Sequence, residues 1–359
     1  MLTIGVDFHK RTSTFKIMNE AGQMIATRKL VNSRDTIRQY LSSFTGPKRL
    51  GMEATRSWGL FYDTTYDLLE SFHLGHPKKM KAISESSIKN DSRDADLITR
   101  MLHSGFFPQA YVSPKDAREL RSLLRYRHFL VNQRRSIRNQ IQTLLDRNLW
   151  PTDRPQAFKN VFCRRGLEWL KSLPLSPKER FILDQALENF QHLEKQILAF
   201  EQFLVPQDFQ LPGLKHLRSV PGFVKSKVNA WIILAEIVDI SRFPNAKSLA
   251  HYSGLVPRQH SSGDKHHTGH LVKEANMHLR TALIESTLAA IRKDKGLRSY
   301  YQKVKTARHS GAAIIATARK LCYAVYHVLK EQRDYRPEPL VTPAAACHPL
   351  EQKNSEKNS

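Results

Sequence analysis

Four carboxylates are the first residues in this sequence whose types and spacing could do chemistry. Asp7 closes the short apolar run Thr3-Ile4-Gly5-Val6, and Glu53 closes Arg49-Leu50-Gly51-Met52. Asp91 and Asp94 follow in Asn90-Asp91-Ser92-Arg93-Asp94-Ala95-Asp96. A spacing of three puts Asp91 and Asp94 on one face of a helix start, with Asp96 pointing elsewhere. Acids at strand ends face the crevice of an open sheet, where they can converge. Their oxygens suit Mg2+, and two ions roughly 3.5–4 Å apart can clamp the attacking and leaving oxygens of a phosphodiester. Taken singly, each acid has an equally good structural reading, Asp7 as a turn cap and Asp91 as a helix N-cap. Strand-end acids also serve sugar-kinase and actin-like folds, but those need glycine-rich phosphate loops, and no glycines cluster after Asp7.

A second group lies far along the chain, in Gly254-Leu255-Val256-Pro257-Arg258-Gln259-His260-Ser261-Ser262-Gly263-Asp264-Lys265-His266-His267-Thr268-Gly269-His270. It reads as a polar loop between apolar helices, longer and more basic than the usual connection of about 4–6 residues. A serine beside glycine can be exposed for attack, with Lys or Arg stabilising charge on a phosphorane. The four histidines lack a cysteine partner or a regular acid spacing, which ranks a metal site behind the serine reading. Lys273, Asn276 and Arg280 follow at helical spacing and could line the same site or contact phosphates. Upstream, Ser219-Val220-Pro221-Gly222-Phe223-Val224 before an apolar helix suits a helix-hairpin-helix or a plain helix start.

The elements that must position these groups follow from periodicity. Thr3 to Asp7, Ser13 to Met18, Met24 to Val31 and Arg49 to Glu53 read as strands. Helices are expected from Trp58 to Phe72 and from Ser92 to Ser104. Strands interleaved with helices imply an α/β sandwich on a mixed sheet, ending near Pro114. From Lys115 to Trp150 apolar residues recur at helical spacing, with Arg118, Arg121, Arg125, Arg134, Arg135 and Arg138 on the remaining faces. Only Asp116, Glu119 and Asp146 are acidic there, which favours a phosphate track over a solvated charged face. Helix returns from Pro177 to Leu204. The expected domains are 1–113, a basic helical coiled-coil region 114–212, a mainly α unit 213–333 and a disordered tail 334–359.

Composition agrees with a polyanionic partner. The 359 residues carry 57 Lys and Arg against 33 Asp and Glu, a net charge of +24, which favours encounter with nucleic acid. No uninterrupted apolar run approaches the roughly 20 residues needed to span a bilayer, so no membrane partner is expected. Three separated cysteines fit a reducing cytoplasm and packing roles.

In their order along one chain these pieces resemble the DEDD transposases of the bacterial insertion-sequence one-ten family, the RNA-guided bridge recombinases. The resemblance rests on Ile4-Gly5-Val6-Asp7, Met52-Glu53-Ala54-Thr55, Pro77-Lys78-Lys79-Met80-Lys81-Ala82 and Asn90-Asp91-x-x-Asp94-Ala95. Downstream it rests on Leu234-Ala235-Glu236-Ile237, Asp239-Ile240-Ser241-Arg242-Phe243, Gly254 to Arg258, Ser261-Ser262-Gly263 and Lys273 with Asn276, Leu279 and Arg280. It departs at Val224 and Ala275, where the family usually has glycine. The resemblance implies an RNase H-like (RuvC-like) N-terminal domain with Asp7, Glu53, Asp91 and Asp94 as ligands of Mg2+. It implies Ser262 as the nucleophile, forming a phosphoserine link to DNA, with Ser261 competing for that role. Arg258, Lys265, Lys273 and Arg280 join the α-helical arginines as nucleic-acid contacts. The partners implied are element ends and target DNA, a structured non-coding guide RNA, and further copies of the chain as a dimer or tetramer on the nucleoid. The competing readings are a junction-type endonuclease using activated water alone, and a non-catalytic nucleic-acid binder.

Overall fold

The computed structural model describes residues 1–83, 91–156, 160–206, 211–224, 227–262, 265–272 and 275–337. The side chains of 81–83, 91–92, 151, 258–262 and 265–270 lie outside that description. The chain divides into two compact units, Met1–Arg118 and Glu119–Ser359.

In the first unit the chain order is β1 (Leu2–Phe8), β2 (Thr12–Met18), β3 (Met24–Val31), α1 (Arg34–Ser42), β4 (Lys48–Glu53), α2 (Trp58–Thr65), β5 (Ser71–Gly75), α3 (Pro77–Ile83), α4 (Asp91–His103) and β6 (Gln109–Ala110). One sheet runs β3-β2-β1-β4-β5-β6. The β1–β4 and β4–β5 pairs are parallel, and β2, β3 and β6 run antiparallel to their neighbours. The two-residue period of a strand sorts its side chains to two faces. Ile4, Val6, Phe15, Ile17, Leu50, Met52 and Leu74 make one core with Ile37 and Leu41 of α1 and Phe61 of α2. The opposite face, carrying Thr3, Gly5 and Asp7, is covered by α4. A mixed sheet with helices on both faces is compatible with the RNase H-like fold expected from the sequence.

The helix expected to reach Phe72 stops at Thr65, and Tyr66–Leu68 make a single 3-10 turn before β5. Leu74, paired with Met52 in parallel register and 3% exposed, gains a place in the sheet core that a continued helix would forfeit.

Among its described residues the second unit's regular structure is helical apart from one hairpin. The helix α5 (Lys115–Asn148) begins just before it, and α6 (Arg164–Ser172) and α7 (Pro177–Leu204) follow. Leu130 packs with Leu193 and Ile197, and Ile141, Leu144 and Leu145 pack with Leu183 and Leu187, so α5 and α7 share two apolar seams. Beyond them come α8 (Leu214–Leu217), α9 (Lys227–Ile237), α10 (Ala246–Tyr252), β7 (Pro257–Ser262), β8 (Lys265–Leu271), α11 (Met277–Lys293), α12 (Lys295–Ala307) and α13 (Ser310–Lys330). Every residue of α9 from Asn229 to Ile237 is buried, so α9 is the central helix of this core. The stretch read from sequence as a polar loop is the antiparallel β7–β8 hairpin. Pairing its backbone groups in a ladder satisfies donors and acceptors that an open loop would leave to water.

By length and composition alone α13, whose most apolar 18-residue stretch has a mean hydropathy of 1.2, is long and apolar enough to cross a membrane. Arg319 and Lys320 interrupt the apolar run. Half of its most apolar window is buried against the unit's own core. Burial pushes the thiol of Cys322, on the inward side of this helix, up to about 12.

Packing is tight where α4 crosses β1. A Cβ on Gly5 would stand 2.1 Å from Thr99 Oγ1 and 2.6 Å from the Ala95 carbonyl oxygen. Gly5→Ala should therefore lower the stability of the first unit by about 1–3 kcal/mol in denaturant titration, the cost of overpacking a filled site. An unchanged midpoint would mean that α4 does not lie this close.

Candidate active site

The placement of the acids follows from how α4 lies on the sheet. Asp7 and Glu53 occupy the last turns of β1 and β4, parallel neighbours in the register Gly5↔Gly51 and Val6↔Met52. Thr3, Gly5 and Asp7 share one face of β1; Arg49, Gly51 and Glu53 share the same face of β4. The helix runs antiparallel to both strands. Its C-terminal His103 stands by Thr3 and Arg49, whose Nε donates to Thr3 Oγ1 at 2.8 Å. Thr99 and Ala95 lie over Gly5, and Leu102 and Ile98 over Gly51. Four helical residues advance about 6 Å, close to the rise of two strand residues. One turn beyond Ala95 is Asp91, along the line that ends in Asp7. One turn beyond Ile98 is Asp94, along the line that ends in Glu53. The strand ends that carry Asp7 and Glu53 and the first turn of α4 thus lie toward one end of the sheet. Asp96 is directed away, to Lys16 Nζ at 3.5 Å and Arg100 Nε at 2.7 Å, and ties α4 to β2.

The donor set is carboxylate oxygen, the hard-ligand chemistry that Mg2+ takes rather than the thiolate sets of softer metals. Among the described residues no three acidic, histidine or cysteine side chains already form a cage, and the side chain of Asp91 lies outside them. Asp94 is exposed, whereas the Asp7 side chain is only 13% exposed. His9, which sequence reasoning missed, places Nε2 2.9 Å from Asp7 Oδ2. The signal available for it was its position two residues past a strand-end acid.

The serine lies at the far end of the hairpin. Ser262 pairs with Lys265 as the last rung of the ladder, and Ser261 pairs with His266. The side chains of Arg258, Ser261, Ser262 and Lys265, and the whole of Gly263, Asp264 and Lys273, lie outside the described residues. The root of the hairpin is well fixed. Arg280 donates to the carbonyls of Val272 at 2.5 Å and Ser253 at 3.3 Å, bridging exit and entry. Asn276 caps α11 by accepting from the Leu279 amide at 3.0 Å. Its amide nitrogen donates to Glu236 Oε2 at 2.7 Å and to the Tyr252 hydroxyl at 3.1 Å.

Glu236 is the hub of that root. Its side chain is 3% exposed, and both its oxygens accept from Arg125, at 2.8 and 2.9 Å. Arg121 lies 3.6 Å away and donates to the Ala235 carbonyl at 2.6 Å. Burial opposes ionisation of Glu236, but hydrogen bonds from Arg125 and Asn276 and the charges on both arginines outweigh it and hold its carboxyl below the usual range. Several arginines that the sequence suggested for phosphate contacts thus have protein acceptors. Arg118 binds Asp63 at 2.5 Å and lies over the Trp58 ring, and Arg134 pairs with Glu194. Arg138 lies 4.5 Å over the Phe162 ring, while Arg135 is exposed and, among the described residues, reaches Asn132 at 3.4 Å.

Comparison with known proteins matches both units. The model of a family described as "Transposase", that of DEDD transposases from IS110 elements, covers residues 4–149 and so spans Asp7, Glu53, Asp91 and Asp94. The model described as "Transposase IS116/IS110/IS902 family" covers residues 214–302 and spans the serine hairpin. The chain belongs to the IS110 family of DEDD transposases. It is an enzyme of DNA strand cleavage and joining, and transposase domains of this type work with divalent metal ions. It is 26% identical over 348 residues to the "Transposase for insertion sequence element IS1111A" of Coxiella burnetii, covering 93% of this chain and 91% of that one. It is 24% identical to the "Probable family 20 transposase" of Pseudomonas aeruginosa, covering 93% and 98% of the two chains. A "Pilin gene-inverting protein" of Moraxella bovis is 30% identical over 158 residues, 41% of this chain and 48% of that one.

Because the folded carboxyl of Glu236 titrates below its unfolded value, its stabilisation is present above the carboxylate range and is lost as pH falls through the folded value. Glu236→Gln should lower stability by about 3 kcal/mol near neutral pH, the cost of breaking a buried ion pair. It should also flatten the fall in stability on the acid side, read by urea titrations across pH. An acid limb identical to wild type would remove Glu236 from this role.

Proposed function

We propose that this IS110-family transposase cuts and rejoins DNA strands with two sets of residues, the acids Asp7, Glu53, Asp91 and Asp94 and the nucleophilic Ser262. A structured non-coding RNA chooses the sites, and the enzyme works as a homo-oligomer on element ends and target DNA. In this reading the first unit is an RNase H-like, RuvC-like domain. What supports this reading is the course of α4 across Gly5 and Gly51, which directs the helix start that carries Asp91 and Asp94 toward the strand ends of Asp7 and Glu53.

Mg2+ held by these acids would supply positive charge to phosphate oxygens and to the reacting oxygens of the scissile bond. The acids would orient the strand, with His9 Nε2 beside the Asp7 carboxylate at 2.9 Å. Ser262 Oγ attacks phosphorus; the Oγ–P bond forms as a P–O bond to sugar breaks, and the hydroxyl proton ends on the departing sugar oxygen. A free sugar hydroxyl then attacks the phosphoserine, restoring the diester and the serine hydroxyl. Each step exchanges one ester for another, so the bond energy is conserved and no nucleotide cofactor is needed. Arg258, Lys265 and Lys273, close in sequence to the serine, would stabilise the phosphorane charge. Arg135 and Arg138 would hold the nucleic-acid backbone, whereas Arg134 pairs with Glu194. Arg118, Arg121, Arg125 and Arg280 serve chiefly to hold the fold, since protein acceptors already take their guanidinium groups.

The test is cleavage of a supercoiled element-junction plasmid with Mg2+, with and without RNA from cells carrying the element. Protein-linked DNA is counted after denaturation. Wild type should give an adduct that Asp7→Asn and Ser262→Ala both abolish, while Ser261→Ala retains it. Cutting that survives Ser262→Ala but not Asp7→Asn would replace this reading with a nuclease that uses activated water.

A further inference from the structure

The positive charge of the second unit is unevenly covered. Along α5, arginines meet acids of neighbouring helices: Arg125 with Glu236, Arg127 with Glu201, Arg134 with Glu194. The α12–α13 segment has no such supply. From Lys295 to Lys330 the sequence holds eight Lys and Arg and no Asp or Glu. The acid just before it, Asp294, is buried and engaged, capping the Leu297 amide at 2.7 Å and accepting from the Tyr335 hydroxyl at 3.2 Å. Among the described residues, Lys295, Lys303, Lys305 and Arg308 are exposed and have no acidic partner.

Their arrangement is regular. Lys295, Arg298, Gln302 and Lys305 follow at spacings of three and four on one face of α12, with Lys303 beside them and Arg308 just past the end. Leu297, Tyr300, Tyr301 and Val304 make the inward stripe, and Tyr300 lies under Lys320 Nζ at 5.5 Å. No large apolar side chain is exposed between Arg292 and Arg308. This face therefore offers cations over about 15 Å and no platform on which an unpaired base could stack. It starts some 25 Å along α11 from Asn276, at the hairpin root.

We infer that the exposed face of α12, extended by Arg308, is a docking surface for the phosphate backbone of duplex DNA flanking the cut site. Resting on the transposase reading above, the inference adds where the uncut duplex is held. A duplex presents a charge every ~1.7 Å along its axis, so a rigid row of cations meets several phosphates without reading sequence. A single strand would call for the stacking surface that this face lacks.

The test is the triple variant Lys303→Gln, Lys305→Gln, Arg308→Gln, with its circular dichroism and thermal melt compared with wild type to establish folding. Affinity for a 30-base-pair mixed-sequence duplex is followed against salt, with single-stranded RNA of matched length as the second probe. Each lost phosphate contact should reduce the logarithmic salt slope for duplex by about 0.9, so the triple variant should lose roughly 2–3. As a reading independent of the variant, acylation of Lys303 and Lys305 in the wild-type protein should slow when duplex is bound. An unchanged slope with unprotected lysines would overturn the inference. Protection by RNA and not by duplex would overturn it too and assign the surface to RNA. Plasmid cutting by wild type is measured in parallel: its absence would count against the transposase reading alone, because duplex binding is read without cleavage.

Discussion

The first unit depends on one close approach, that of α4 to β1 and β4 across Gly5 and Gly51. Two glycines side by side on parallel strands open a trough that any side chain would fill, and the backbone at Ala95 comes down onto Gly5. Seating the helix there fixes its register on the sheet at both ends. Arg49, Thr3 and His103 hold the C-terminal end, while Lys16 and Arg100 hold Asp96. With the register set, the positions of Asp91 and Asp94 relative to Asp7 and Glu53 are no longer free. The closest of these contacts, Gly5 against Ala95, involves no carboxylate, and the one carboxylate that helps to tie the helix to the sheet, Asp96, is directed to Lys16 on β2.

The second unit solves a related problem with charge. A serine at the tip of a two-stranded hairpin is only as well placed as the hairpin's root, since an isolated pair of strands is marginally stable in water. The root is held by Arg280 across both strand ends and by Asn276, which is in turn held by Glu236 between Arg125 and Arg121. The network joins α5, α9 and α11 beneath the hairpin. Cations of the basic helix are thereby taken into the fold, and the unneutralised charge of the chain is displaced to other faces, α12 among them.

Much of the first unit was legible in the sequence because its strands alternate cleanly and end in acids. Asp7 and Glu53 could be placed at strand ends, and the three-residue spacing of Asp91 and Asp94 on a helix start. The clamp on that helix was not legible, because it depends on Gly5 meeting Ala95, a contact between residues 90 apart in sequence that carry no chemistry of their own. The helix expected over Trp58 to Phe72 missed β5, since Phe72 and Leu74 alternate for only a few residues. The hairpin carrying Ser262 read as a loop because its polar and histidine residues show no apolar period. The arginines of α5 were visible as a basic face, but their acids, Glu236 and Glu201 above all, come from distant segments that only folding brings together.

The most direct measurement of the account is Mn2+ binding followed by electron paramagnetic resonance, comparing wild type with Asp7→Asn, Glu53→Gln, Asp94→Asn and Asp96→Asn. The first three should each weaken binding by about tenfold or more, whereas Asp96→Asn, whose carboxylate is committed to Lys16 and Arg100, should leave the affinity unchanged. Equal binding in all four variants, or a loss confined to Asp96→Asn, would contradict the convergence of Asp7, Glu53 and Asp94 on one ion.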